Sequence, residues 1–156
     1  MTKPTTGDPM PDIALETSDG ATVRPSDFKG RPAVIWFYPK DNTPGCTTEA
    51  RDFSSLADEF AKAGVALLGV SKDSPAKHRN FIDKQALTVP LASDAATEGL
   101  SDALGIWAEK QLYGKKFIGM VRTTYLLDAD GKIARVWDKV KVKGHAEAVL
   151  EAAKAL

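Results

Sequence analysis

Apolar and polar positions fall into three kinds of run along this chain. The first kind is short and continuously apolar: Ala33-Val34-Ile35-Trp36-Phe37-Tyr38 and Val65–Val70. Such runs suit strands buried on both faces, as in a parallel sheet under helices. The second kind carries apolar residues at helical spacing. Phe53, Leu56, Phe60 and Ala63 form one stripe, which predicts a helix from about Cys46 to Ala63 with Gly64 ending it. Ser74-Pro75 supplies a capping residue and a first-turn proline for a helix running through Phe81 and Ile82 toward Leu87. A short segment then reaches Asp94, a small helix covers about Thr97–Leu104, and Gly144 precedes a last helix with Val149, Leu150, Ala153 and Leu156 on one face. The third kind is a pair of short runs about a turn. Ile13–Leu15 and Ala21–Arg24 flank Asp19-Gly20, and Thr123–Leu127 and Lys132–Trp137 flank Asp128-Ala129-Asp130-Gly131; both read as hairpins. Residues 1–11, with Pro4, Pro9 and Pro11, read as an extended arm.

The order strand–helix–strand–helix, then hairpin, then helix predicts an α/β fold. It is a three-layer α/β/α sandwich with a mixed central sheet and an N-terminal hairpin extension, as in the thioredoxin fold. The 156 residues fit a single domain spanning 1–156, large enough to bury a core without metal or disulfide staples. Lys+Arg and Asp+Glu both number 21, and this balance argues against nucleic acid as a partner. The N-terminus has no apolar signal region. No run approaches the ~18–20 apolar residues of a membrane span, so the expected location is the cytoplasm.

Cys46 is the only cysteine. It cannot form an internal disulfide, serve in a CxxC pair or build a cysteine-rich zinc site. It sits where the loop Pro39-Lys40-Asp41-Asn42-Thr43-Pro44-Gly45 leaves a buried strand and a helix begins. Negative charge there is stabilised by unpaired backbone N–H groups and the helix dipole. A lone cysteine is also commonly a small buried hydrophobe, and position alone leaves both readings open.

The neighbouring residues decide between them. Pro39-x-x-x-Thr43-x-x-Cys46 resembles the peroxidatic motif of the peroxiredoxins. The longer string from Phe37 to Ala50 resembles the peroxiredoxin Q subfamily, also called bacterioferritin comigratory protein. The likeness extends to Gly7-Asp8, Pro11-Asp12, Leu104–Trp107, Tyr113-Gly114-Lys115, Gly119–Tyr125 and Val142–Ala146. It implies a peroxidase that reduces hydrogen peroxide and alkyl hydroperoxides, with no cofactor and no metal. In-line attack on the O–O bond needs a deprotonated nucleophile and donors aimed at the developing oxyanion. Cys46 is the candidate nucleophile. Thr43 offers a hydroxyl three residues earlier, and the backbone N–H groups of Gly45 and Cys46 are further donors. By the resemblance, Pro39 shields the thiolate from water and Arg122 is the permanent cation, a role that suits its rigid fork of donors. Glu49 either orients Arg122 or is a favourable first-turn acid. Tyr38, Trp107 and Tyr113 are possible pocket walls.

Many subfamily members carry a resolving cysteine five residues after the first; here Arg51 stands there, and no other cysteine exists. Five helical residues separate Cα atoms by roughly 8–9 Å, beyond the ~7 Å reach of a disulfide. Two-cysteine members must therefore unwind this helix, and the helix here is expected to be less mobile. The oxidised Cys46 must meet an external thiol: thioredoxin, glutaredoxin with glutathione, or a small thiol. A thioredoxin-fold redox sensor with poor turnover is the alternative, and the subfamily includes both monomers and dimers. His78 and His145 are expected at the surface, away from catalysis. Asp128-x-Asp130-Gly131 lacks the later ligands of a calcium loop. Lys139–Lys143 reads as an edge strand, and Trp36, Trp107 and Trp137 pack in or near the core.

Overall fold

The computed structural model describes residues 3–95 and 98–156, apart from the side chain of Leu112. Its strands are β1 (Leu15–Thr17), β2 (Thr22–Val23), β3 (Ala33–Phe37), β4 (Ala66–Ser71), β5 (Leu91–Ser93), β6 (Trp107–Leu112), β7 (Lys115–Met120), β8 (Thr123–Leu127) and β9 (Ile133–Trp137). Its helices are α1 (Pro44–Ser55), α2 (Ala57–Lys62), α3 (Pro75–Gln85), α4 (Leu100–Ala103) and α5 (His145–Lys154). Seven strands form one sheet in the order β2-β1-β5-β4-β3-β8-β9. The two apolar runs lie side by side at its centre, β3 parallel to β4, and β8 lies antiparallel to β3 on the other side.

All five residues of β3 are buried, and they divide between two cores. Val34 and Trp36 face one cluster with Phe53, Phe60, Phe81, Val149 and Leu150, drawn from α1, α2, α3 and α5. Ala33, Ile35 and Phe37 face the other, with Met10, Leu100, Leu104 and Met120. The period-2 alternation of a strand thus persists inside a run that is apolar throughout. The second outer layer is thin, consisting of the four-residue α4, the arm and the approach to β6. Trp36 is fully buried and stacks on Phe53 at 4.3 Å between ring centroids. Trp107 and Trp137 are half-buried. The arm is not extended throughout: it turns over Thr5–Asp8, where the Asp8 N–H donates to the Thr5 carbonyl at 3.0 Å, and it docks by bridging Pro9 to Lys132 and donating the Gly7 N–H to the Ile133 carbonyl at 2.8 Å.

Several elements differ from the sequence expectation. The helix expected over 46–63 starts at Pro44 and breaks at Leu56, whose N–H reaches both the Asp52 and Phe53 carbonyls. At the break Thr88 takes over the Ser54 carbonyl, donating its hydroxyl at 3.2 Å. The segment before Asp94 is a true strand, β5, parallel to β4. The small helix is only α4; Thr97, where it was expected to begin, lies outside the described residues. The β6–β7 hairpin leaves no strand pattern in the sequence, because Glu109, Lys110, Lys115 and Lys116 hide any apolar alternation. Its turn, Tyr113-Gly114, has φ of 52° and 77°, the left-handed pair a two-residue hairpin needs. Residues 139–143 are not an edge strand but an irregular connection into α5. Lys139 there takes φ 47°, and the Val140 N–H donates to the Arg122 carbonyl at 2.9 Å.

Candidate active site

The sheet register places the cation beside the thiol. Phe37 ends β3 opposite Thr123, the first residue of β8. Arg122 therefore sits where the chain leaves β3 for the loop that leads to Cys46. Thr43 is the N-cap of α1 with extended backbone (φ −90°, ψ 154°), and Pro44 occupies the first helical position. Cys46 thus lies in the first helical turn, where backbone N–H groups have no partner within the helix. The Thr43 side chain does not cap the helix; its hydroxyl donates to the Lys40 carbonyl at 2.8 Å.

Cys46 is a free thiol, 2% exposed, packed against the helical-face core. Arg122 reaches it with Nη2, which donates to Sγ at 3.3 Å. The other arm of the fork, Nη1, donates to Glu49 Oε1 at 2.7 Å. One guanidinium therefore links a sulfur and a carboxylate on the same helix. Gly45 makes the approach possible, since a Cβ there would stand 3.2 Å from Arg122 Nη2. Burial works against the charge of Arg122, but Glu49 and Cys46 outweigh it and hold the guanidinium above its ordinary range. Glu49 is nearly inaccessible, and burial pushes its carboxyl up to about 7 although Arg122 pulls the other way. Its Oε2 has no hydrogen-bond partner among the described residues.

The remaining expected residues scatter. Pro39 is half-buried in the loop itself. Tyr38 is buried beneath the loop, its hydroxyl donating to Asp41 Oδ1 at 2.6 Å. Trp107 opens β6, with the Lys72 ammonium 5.3 Å from its ring centroid. Tyr113 stands at the tip of the β6–β7 hairpin, 94% exposed, and walls no pocket there, because the hairpin carries it out into solvent. Arg51 is exposed on α1. No group of three or more potential metal ligands occurs among the described residues, and no helix among them is long and apolar enough to cross a membrane.

Both histidines correct the surface expectation. His78 is fully buried, with Nδ1 at 2.7 Å from Asp41 Oδ2 and Nε2 at 2.9 Å from the Ala92 carbonyl. Phe81 and Ile82 follow His78 at i+3 and i+4 on α3, a spacing that puts His78 on the apolar face despite its polar neighbours. His145 is buried at the start of α5. Its Nε2 lies 2.8 Å from Thr124 Oγ1, and its ring stands edge-on to Phe53 and Trp137. Burial first, then the charge of Arg122, hold it down to about 4. A second cation also escaped the sequence reading. Lys110 Nζ donates to the Met120 carbonyl at 2.8 Å. Burial and the charge of Arg122 lower its ammonium, while Cys46 pulls it up.

Residues 6–136 match the model of the AhpC/TSA family. The peroxiredoxin Bcp of Xanthomonas campestris is 49% identical over 144 residues, 92% of this chain and 89% of that protein. The peroxiredoxin Bcp of Bacillus subtilis is 42% identical over 148 residues, covering 95% and 94%. A solved structure of the X. campestris bacterioferritin comigratory protein, concerned with its alkyl peroxide reduction activity, superposes with a TM-score of 0.89. It is 45% identical and covers 96% of this chain and 98% of that one. Beside a buried thiol held by an arginine at the start of a helix, these matches show that the chain belongs to the AhpC/TSA family, as a peroxiredoxin of the Bcp or Q kind, and is a thiol peroxidase.

Proposed function

We propose that Cys46 Sγ, as thiolate, attacks the distal oxygen of a hydroperoxide ROOH. The S–O bond forms as the O–O bond breaks, Cys46 becomes a sulfenic acid, and RO⁻ leaves and takes up a proton as ROH. The observation that carries this reading is the forked Arg122, with one arm on Sγ and the other on Glu49 inside a site nearly closed to water. Arg122 and the first-turn N–H groups of Gly45 and Cys46 stabilise charge passing from sulfur to the leaving oxygen. With its hydrogen committed to Lys40, Thr43 Oγ1 has lone pairs free to accept the O–H of the peroxide. Pro39 shields the thiolate without adding a competing N–H, and Glu49 orients Arg122.

The second half of the cycle needs two thiols from outside. The first displaces water from the sulfenic acid to give a mixed disulfide, and the second releases Cys46 as thiol. Thioredoxin, glutaredoxin with glutathione, and small thiols all supply this chemistry. Residues 1–156 work as one thioredoxin-like unit in the cytoplasm, as a monomer or a weak homodimer. The absence of a second cysteine, with Arg51 at the usual position, also keeps alive a peroxide sensor that turns over poorly.

The test is peroxide consumption by the whole protein with each reductant in turn. Steady turnover with one of them and none in Cys46→Ser supports the peroxidase cycle. A single fast oxidation of Cys46 followed by no turnover with any thiol supports the sensor. If peroxide alone yields mainly a Cys46–Cys46 dimer by mass spectrometry, the external-thiol cycle is wrong.

A further inference from the structure

The loop between β3 and α1 carries Pro39 and Thr43, and between them Asp41 ties it to buried groups outside the Cys46–Arg122–Glu49 centre. Asp41 is the hub. Its N–H donates to Asp73 Oδ2 at 2.8 Å, and Ser71 Oγ donates to that same carboxylate oxygen at 2.7 Å. Asp41 Oδ1 accepts from the Tyr38 hydroxyl, and Oδ2 faces His78 Nδ1 at 2.7 Å. His78 is fixed in turn by the Ala92 carbonyl of β5. Tyr38, Asp41 and His78 are 1%, 6% and 0% exposed. The next residue, Asn42, takes the left-handed φ of 60°, a conformation that asparagine adopts more readily than other side-chain-bearing residues.

The hydrogens of this cluster can be assigned from its acceptors. A carbonyl oxygen only accepts, so His78 Nε2 must carry a hydrogen to Ala92. The short Nδ1–Oδ2 contact then holds one proton between His78 and Asp41, whether it is written as an imidazolium with a carboxylate or as an imidazole with a carboxylic acid. The contact joins α3 to the loop through a strong, water-free bond. We propose that Asp41 and His78 are positioning residues that clamp the loop in the shape that reacts with peroxide. This rests on the reading that Cys46 attacks peroxide, and not on the external-thiol cycle.

Two rates measured without any reductant test the clamp: oxidation of Cys46 by hydrogen peroxide, and alkylation of Cys46 by a maleimide at the same pH. Peroxide is small and needs the built loop, whereas a maleimide needs the loop open. In Asp41→Ala, which removes both carboxylate oxygens of the clamp, peroxide oxidation falls by about tenfold or more while alkylation rises several-fold. Amide exchange quickens over residues 39–47 and stays slow in β3 and β4. Proton NMR is expected to show a far-downfield resonance from the proton shared by His78 and Asp41 in the wild type, lost in both Asp41→Ala and His78→Gln. The clamp is overturned if the two rates fall together, if neither changes, or if exchange quickens uniformly along the chain. If either variant does not fold, the rates of the other decide. Absence of turnover with every external thiol, alongside opposed shifts of these two rates, would remove the cycle and leave the clamp standing.

Discussion

Two buried polar centres flank the start of α1, and they are finished to different degrees. In the Tyr38–Asp41–His78 centre both carboxylate oxygens and both ring nitrogens have partners. In the Cys46–Arg122–Glu49 centre Glu49 Oε2 is buried without one among the described residues, and the guanidinium leans on a sulfur at 3.3 Å. A complete network fixes geometry; an incomplete one keeps capacity for a reacting molecule. The contrast explains why one loop spans both. The centre that is complete holds Pro39 and Thr43 still, so that the incomplete one can bind peroxide without building its site at each encounter.

The largest expected effect removes the charge from the incomplete centre. Arg122→Ala takes away the donor on Sγ and leaves Glu49 buried without its cation. Peroxide oxidation of Cys46, followed by stopped-flow fluorescence, is expected to slow by about 10²–10³-fold. Near-normal oxidation would show that the Arg122 fork is architecture only. Arg122→Lys is expected to recover only part of the rate, because one ammonium cannot serve sulfur and carboxylate in the same fork. Thr43→Val ranks next. It keeps shape but loses the hydroxyl that accepts the peroxide proton, and a slowing of about 10–10²-fold is expected, with the thermal midpoint little changed. A fall in the midpoint as large as that of a core variant would mean that the bond from Thr43 to Lys40 is structural. Gly45→Ala ranks below both. Its Cβ would stand 3.2 Å from Nη2, and Glu49 prevents the guanidinium from simply retreating. Oxidation is expected to slow a few-fold, and an unchanged rate would show that the fork has slack.

Much of this site was legible because its chemistry lies in a contiguous string. Pro39, Thr43, Gly45 and Cys46 fall within eight residues, and local sequence can display a loop entering a helix. Arg122 was legible only through resemblance, since its position depends on the antiparallel register of β8 against β3. The completed centre was missed for the same reason: Asp41, Asp73 and His78 meet across α3 and β4, and their pairing is tertiary. His78 and His145 were read as surface residues because their sequence neighbours are polar. Neighbours report on exposure poorly when a helix turns one position in four inward. Tyr113 failed in the opposite direction, since an aromatic residue at a hairpin tip has no core to join.

The smallest effect concerns pH, and it sets two buried groups beside Arg122 against each other. Glu49 titrates near 7 in the fold, above its ordinary 4.5. The folded state therefore binds the extra proton between those values, and the stability this brings is complete below about 4.5 and lost as pH rises through about 7. His145 titrates near 4, below its ordinary 6.5. There the unfolded chain binds the extra proton, so stability is complete above about 6.5 and lost as pH falls toward about 4. Between about 4.5 and 6.5 the two slopes oppose, each bounded at about 1.4 kcal/mol per pH unit. Urea midpoints at pH 5, 6 and 7 and constant ionic strength separate them. Glu49→Gln is expected to make stability rise more steeply with pH than in the wild type, and His145→Gln to make it fall more steeply. If both variants run parallel to the wild type, neither group titrates within this window. The incomplete centre would then hold Glu49 charged throughout, with Arg122 outweighing burial.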